Sequence, residues 1–120
     1  MEVSTPDTTA LAARLTRLPR RPVIAIEVPV AASRRARLLG LSRLEEAEAG
    51  VGLLIPRCRS IHTFGMRFPL DVFFLDQSES VVRQCVSVPP GRCLFTMKAH
   101  SVLELVPCRY RGEKFARPVA

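Results

Sequence analysis

The sequence contains no tryptophan, one tyrosine and two lysines, and it has no long uninterrupted apolar run. A membrane-spanning helix needs about 20 consecutive apolar residues, so we expect a soluble protein. The N-terminal segment also lacks the apolar core of a secretory signal, because Arg14 and Arg17 interrupt its only candidate. We therefore expect a cytoplasmic location. A chain of 120 residues has room for one domain.

The net charge of +7 is carried almost entirely by arginine. Clustered cations gain affinity for phosphates by releasing counterions, so a basic nucleic-acid or anionic-surface binder is one alternative function. With one tyrosine and no tryptophan to stack on bases, nucleic acid is the less favoured partner. Seven arginines lie in the first third of the chain and would form this basic surface: Arg14, Arg17, Arg20, Arg21, Arg34, Arg35 and Arg37.

The four cysteines are spread widely, at Cys58, Cys85, Cys93 and Cys108. The absence of a CxxC pair argues against a zinc ribbon and against a thioredoxin-type dithiol. Since no export signal is recognised, reduced thiols that serve as small buried residues are favoured over disulfides. No metal and no cofactor is predicted.

Helical patterns are confined to the first half of the chain. Residues 8–18 place leucines at helical spacing. Ser33 is a candidate N-cap for a second helix that Gly40 could end. Ser42 precedes Glu45 at the capping-box spacing, which predicts a short helical turn.

Strand patterns dominate the remainder of the chain. Residues 23–30 (VIAIEVPV) read as one strand, and LDVFFLD and VVRQCVSV read as a hairpin across the turn DQSES. VGLLIP and HSVLELV supply two more strands, and PPGRC a further turn. The sequence therefore predicts a mainly β fold, a compact antiparallel barrel or sandwich of about five or more strands with one or two short helices near the N-terminal half. Within it we expect an N-terminal extension over residues 1–22, a β-rich domain over 23–106 and a basic tail over 107–120.

The densest group of reactive side chains lies in CRSIHTFGMRFPLDVFFLD. Cys58 and His62 have the residue types of a nucleophile and its base. Pro56, Gly65 and Pro69 argue against a continuous helix here, and in an extended chain a four-residue separation spans roughly 13 Å. A catalytic Cys–His pair is therefore disfavoured unless a tight turn reunites the two side chains.

Metal binding and carboxylate chemistry are weaker hypotheses for the same region. His62, Met66, Asp71 and Asp76 mix soft and hard donors without a repeated spacing, which favours no particular ion. Asp71 and Glu104 would need to face one cleft to act as paired acids. Glu104 interrupts the apolar stretch VLELV, so it either faces solvent or, if it is buried, needs a cationic partner such as Arg67.

The ordered motifs ARLLGLSRL, GVGLLIP, SIHTFGMRFPLDVFFLD, VVRQCVSVPPGR and SVLELV resemble the Domain of Unknown Function 192 family of small bacterial and archaeal proteins. The resemblance covers about residues 23–106. It implies a compact, mostly β domain and brings no established activity, cofactor or catalytic residue. The family-like polar positions are His62, Met66, Asp71, Asp76 and Glu104, with Gly40, Gly52 and Pro90 in turn or packing roles.

Two segments depart from the pattern of that family. Its hairpin often has a glycine after the aspartate, where this chain has DQSES. A closing β segment commonly follows its last strand, where this chain has PCRYRGEKFARPVA.

The sequence favours a non-catalytic binding or accessory module for an unknown protein or small-molecule partner. Its candidate surface surrounds a strand entrance, where a rigid sheet carries functional loops. One alternative is a small hydrolase or isomerase that uses His62 with Asp71 or Glu104, and the other is the basic binder described above. The candidate site residues are His62, Met66, Arg67, Asp71, Asp76 and Glu104.

Overall fold

The computed structural model describes residues 15, 18–31, 33, 36–37 and 40–111. Of the predicted first helix, only Leu15 and Leu18 fall within this part of the chain, and the predicted tail lies outside it beyond Arg111. The described strands are β1 (Arg20–Val23), β2 (Ile26–Pro29), β3 (Gly52–Pro56), β4 (Ser60–His62), β5 (Leu70–Leu75), β6 (Val81–Val88), β7 (Cys93–Phe95) and β8 (Ser101–Leu105). A 3-10 helix (Glu46–Glu48) precedes β3, and a short helix, α1 (Pro107–Tyr110), follows β8.

The central feature is a four-stranded antiparallel sheet in the order β3-β8-β5-β6. Two smaller antiparallel pairs, β1-β2 and β4-β7, accompany it. The strands belong to antiparallel sheets in a sandwich-like arrangement that does not close into a barrel within the described residues. The predicted mainly β fold class is confirmed. No helix in this part of the chain is long and apolar enough to cross a membrane.

Both faces of the central sheet are covered, which explains why its inner strands are apolar almost throughout. One cluster contains Leu53, Val72 and Val102 from the sheet. It also contains Leu41 and Leu44 from the 41–49 segment, Ile61 from β4, and Phe68. Leu54, Leu75 and Leu103 point to the other face, where Val23, Val28 and Tyr110 pack on them. The β1-β2 hairpin and α1 therefore lie on one side, and β4 with the 41–49 segment lies on the other.

The predicted β5-β6 hairpin is confirmed. Its turn has no glycine and is stabilised by hydrogen bonds to the Asp76 side chain. One Asp76 carboxylate oxygen accepts hydrogen bonds from the backbone N–H groups of Ser78 and Ser80, each at 2.9 Å, and from the Ser78 hydroxyl at 2.8 Å. The Ser80 bond, followed by those from Ser78, lowers the pKa of Asp76. Glu79 has a φ of 68°, so a non-glycine residue adopts the left-handed conformation at this turn.

The prediction of a single strand over residues 23–30 is wrong, because the segment is a hairpin. Chain reversal occurs at Ile24 and Ala25, whose φ angles are 50° and 68°, and Val23 pairs with Ile26. Two consecutive positive φ angles define a two-residue turn that normally carries Asn-Gly. The β-branched and apolar sequence hides that turn from pattern analysis, since Ile24 packs against the core instead.

Two further local predictions need correction. The 3-10 helix begins after Glu45, whose backbone N–H donates to Glu48 Oε1 at 2.9 Å, so the capping residue is Glu45 and not Ser42. The three-residue strands β4 and β7 were not predicted, because segments so short carry no measurable alternation.

Gly52 is required where β3 meets β8. Its φ is 153°, and a Cβ there would lie 2.1 Å from the backbone oxygen of Glu104. Any side chain at this position would separate the two strands, which explains the second glycine in GVGLL.

Candidate binding pocket

Glu104 is a buried acid in the middle of β8. Its cross-strand partners are Leu53 on β3 and Val72 on β5, so it has an apolar residue on each side. The residue is 3% exposed, and its Oε1 atom has no hydrogen-bond partner among the described residues. Burial raises the pKa of Glu104 to about 7. A carboxyl group in this setting is near half protonation at neutral pH.

The Glu104 carboxyl group forms part of the wall of a pocket of about 150 Å³. Apolar side chains of Leu41, Ile55, Ile61 and Met66 supply one part of the lining. Arg37, Cys58 and His62 supply the other titratable or charged groups. Cavities of about this size accept a benzene-sized molecule.

Arg37, which also lines the pocket, has a second polar atom that is unsatisfied among the described residues. Its Nη2 donates to the carbonyl oxygen of Arg57 at 2.7 Å, which holds the side chain in place. Its Nε is buried without a hydrogen-bond partner in the described part of the chain. The short helical turn that carries Arg37 begins at Ser33, whose hydroxyl accepts from the Ala36 backbone N–H at 3.0 Å, as the N-cap prediction expected. Gly40 ends this turn with a φ of 53°.

Cys58 lies in the same wall, with a thiol that is engaged locally. Its Sγ donates to the carbonyl oxygen of Ser60 at 3.0 Å. Burial is the main cause that raises its pKa, while the charge of Arg37 lowers it and that of Glu104 raises it further. The thiol is therefore the neutral form at physiological pH and not an activated nucleophile.

His62 lies at the exposed rim of the pocket on β4. Its Nδ1 accepts a hydrogen bond from the backbone N–H of Phe64 at 3.2 Å, and its ring stacks on Phe64 at 5.4 Å between centroids. In the neutral ring the proton therefore resides on Nε2. The structure places His62 and Cys58 in one pocket lining, yet each makes its hydrogen bond to the neighbouring backbone.

Asp71 lies on the opposite face of the central sheet from Glu104. Because Val72 is the residue that pairs with Glu104, the adjacent Asp71 faces away from the pocket. Asp71 is fully buried and accepts from Ser87 N at 2.8 Å, from the Tyr110 hydroxyl, and from Arg111 Nη2 at 2.7 Å and Nε at 3.0 Å. The two acids do not share a cleft, and Asp71 fastens α1 to the sheet.

The remaining predicted site residues divide between the pocket and structural contacts. Met66 is buried and lines the pocket. Arg67 forms an exposed ion pair with Glu45, so the suggestion that Arg67 neutralises Glu104 is wrong. Asp76 organises the β5-β6 turn, as described above. Of the six candidates, the structure thus brings His62, Met66 and Glu104 together.

The predicted basic surface is described only in part, since Arg14, Arg17, Arg34 and Arg35 lie outside the described residues. Within that range, Arg20 donates to the Glu27 carbonyl oxygen at 3.3 Å and Arg21 pairs with Glu79. Among these described residues no group of three or more His, Cys, Asp or Glu side chains is placed to hold a metal ion.

Sequence reasoning missed Arg37 and Cys58 as neighbours of Glu104. The sequence singled out Arg37 only as one of seven clustered arginines of a basic surface. It singled out Cys58 only as a possible catalytic partner for His62. The signal that did point to the pocket was the acid in VLELV, because an acid inside an apolar strand must be either exposed or specially accommodated.

Fold and pocket together define a small, mainly β domain with a partly polar cavity beside its central sheet. The profile of the DUF192 family, described as "Uncharacterized ACR", matches residues 17–111. The chain belongs to this family. The match extends beyond residues 23–106 at both ends, to include β1, α1 and the Arg111 contact.

A solved structure supports the same fold. A protein of unknown function from Novosphingobium aromaticivorans DSM 12444 is similar to this chain with a TM-score of 0.53 and 16% sequence identity. The alignment covers 75% of this chain and 82% of that chain. Among curated proteins none matches this sequence.

Proposed function

We propose that this protein is a non-catalytic binding module whose pocket receives a small molecule beside Glu104. The observation that carries the proposal is the buried Oε1 atom of Glu104 in the pocket wall, which has no partner in the part of the chain that the structure describes. A buried polar atom without a partner costs about 1–3 kcal/mol. A ligand that pairs with this atom would remove that cost and gain the contact.

The apolar part of the lining supports the same function. Binding sites for small molecules combine hydrophobic walls with a few placed polar groups, and this pocket has that composition. The proposal retains His62, Met66 and Glu104 as site residues, and it assigns Arg67, Asp71 and Asp76 to the stability of the fold. We also propose a cytoplasmic location, since the four cysteines are all unpaired, which fits a reducing compartment.

A small hydrolase or isomerase is the second candidate, favoured by the shared pocket of Cys58, His62 and Glu104. A carboxyl group with a pKa of about 7 is well matched to general acid–base work at neutral pH. The hydrogen bonds of His62 and Cys58 to the backbone favour binding over this alternative, because neither group orients the other.

The binding proposal is tested by following backbone amide signals of the ¹⁵N-labelled protein by NMR during titration with acetate, acetamide, methylammonium and imidazole. We expect at least one probe to produce saturable shifts confined to the pocket amides, including Gly40, Cys58 and Ser60. The variant Cys58→Phe, which fills the pocket from a half-buried position, should abolish these shifts.

Cys93→Phe is the matched control, because Cys93 is exposed on β7 and does not line the pocket. Absence of saturable shifts for all probes, or shifts that survive Cys58→Phe, would contradict the proposal. Hydrolysis of p-nitrophenyl acetate that is lost in Glu104→Gln would replace it with the enzyme alternative.

A further inference from the structure

The polar residues that line the pocket offer hydrogen-bond donors. Arg37 Nε carries a proton and is unpartnered among the described residues. Glu104 Oε1 is likewise unpartnered, and in its protonated form the carboxyl group of Glu104 becomes a donor as well. Two donors on residues that line one pocket suit a ligand group that has two acceptor oxygens.

Charge also selects against a cationic ligand. Around Glu104, the strands β3 and β5 present the apolar residues Leu53 and Val72. The charged or titratable groups that line the pocket with Glu104 are Arg37, Cys58 and His62. Arg37 is permanently positive, and the whole chain has a net charge of +7. When Glu104 is protonated, a cation would meet this repulsion, whereas an anion would be attracted.

The apolar walls define the remainder of the ligand. Leu41, Ile55, Ile61 and Met66 line the pocket and can bury a short hydrocarbon chain. A volume of about 150 Å³ admits a molecule of about the size of benzene. The ligand therefore combines a small anionic head with a few carbon atoms.

Resting on the proposed function, we infer that the pocket binds a short-chain monocarboxylate with uptake of one proton by Glu104. The ligand carboxylate accepts hydrogen bonds from Arg37 Nε and from the protonated Glu104 carboxyl group, and its hydrocarbon chain lies against the apolar wall. The proton comes from solvent, so the pocket keeps its net charge balanced: one positive guanidinium, one negative ligand and one neutral acid.

The test compares butyrate with its neutral and cationic counterparts, butyramide and butylammonium, by calorimetric titration from pH 6 to pH 9. Butyrate stays ionised over this range, as carboxyl groups titrate near pH 4. We expect butyrate to bind at least tenfold more tightly than the other two at pH 6. Its Kd should rise about tenfold per pH unit above about pH 7, as one linked proton requires.

Three variants assign the linked proton. Glu104→Gln keeps a hydrogen-bond donor and should bind butyrate with a Kd that no longer depends on pH. Glu27→Gln changes an exposed acid on β2 and should keep the wild-type pH dependence. In His62→Gln, whatever its affinity at pH 6, the Kd should still rise about tenfold per pH unit above about pH 7, which separates Glu104 from the nearby imidazole. Arg37→Gln should weaken butyrate binding at least tenfold at pH 6.

A pH-independent Kd for butyrate, or a pH dependence that persists in Glu104→Gln, would overturn the inference. Tighter binding of butyramide or butylammonium than of butyrate would also overturn it, yet would leave the proposed binding function standing. A pocket that binds imidazole but none of the three four-carbon probes would likewise overturn the inference and leave the proposed binding function standing.

Discussion

Glu104 links the stability of the fold to pH, because its carboxyl group is buried and no ion pair to it is formed within the described residues. Its pKa is about 7 in the folded protein against an ordinary 4.5. Between these values the folded state holds a proton that the unfolded state has released, so stability falls as pH rises. The loss approaches about 3 kcal/mol by pH 7 and is absent below about pH 4.5.

We predict that Glu104→Gln removes this loss. The variant should match wild type near pH 4 and exceed it by about 3 kcal/mol at pH 8, as measured by urea unfolding at each pH. Glu27→Gln, an exposed acid, should follow the wild-type curve. Parallel curves for wild type and Glu104→Gln would show that Glu104 titrates normally.

The residues of the site could be predicted where the sequence contains a conflict, as at Glu104, or a dense group of reactive side chains, as at His62 and Met66. Glu104 stands out because a charge inside an apolar strand needs an explanation. Arg37 carries no such signal, because nothing in the sequence distinguishes it from the 15 other arginines of the chain. Its place in the same pocket wall as Glu104 depends on a chain path between residues 37 and 104 that local patterns do not contain.

The β1-β2 turn is strained, because Ala25 holds a φ of 68°. An L-residue in the left-handed helical conformation costs about 1 kcal/mol relative to glycine. We predict that Ala25→Gly stabilises the protein by about 1 kcal/mol in urea unfolding. Ala47→Gly makes the same change in the 3-10 helix and should destabilise the protein by a similar amount. Destabilisation by both variants would mean that the turn does not have this geometry.

Helix α1 is held by Asp71, whose buried carboxylate accepts bonds from Tyr110 and Arg111. In Asp71→Asn the amide would present a donor to groups that are themselves donors, so we predict a loss of about 3 kcal/mol. The backbone amides of Tyr110 and Arg111 should also exchange hydrogen faster. Measurements of urea unfolding and amide exchange check both effects.

Arg111→Gln is the comparison for this contact. The Arg111 side chain is 38% exposed, and its loss leaves Asp71 with Ser87 and Tyr110, so we expect a cost of only about 1 kcal/mol. If Arg111→Gln costs as much as Asp71→Asn, the ion pair and not the buried hydrogen bonds holds α1.

Strands could be predicted where they are apolar, as β3, β5 and β8 are, or long and rich in β-branched residues, as β6 is. The β1-β2 hairpin could not, because its turn residues have the composition of a strand. β4 and β7 escaped prediction for a different reason: their three residues each are stabilised by pairing with each other, and pairing is not a local property.

On the scale of the whole molecule, the central sheet joins two hydrophobic clusters on opposite faces. Leu53 belongs to one cluster and its neighbour Leu54 to the other, and both are fully buried. The strands β3, β5 and β8 contribute residues to both clusters. Neither cluster can therefore unfold while the sheet that supports the other stays intact. This arrangement predicts a single cooperative unfolding transition.

Substitution of the two leucines tests this cooperativity. Leu53→Ala and Leu54→Ala should each cost about 2–5 kcal/mol. The fluorescence of Tyr110, which lies edge-on to Phe73 at 6.1 Å on the Leu54 side, reports one face. Far-UV circular dichroism reports the strands as a whole. In both variants the two signals should change at the same urea concentration. If Leu54→Ala moves the fluorescence transition to lower urea and leaves the dichroism transition in place, the two faces unfold separately.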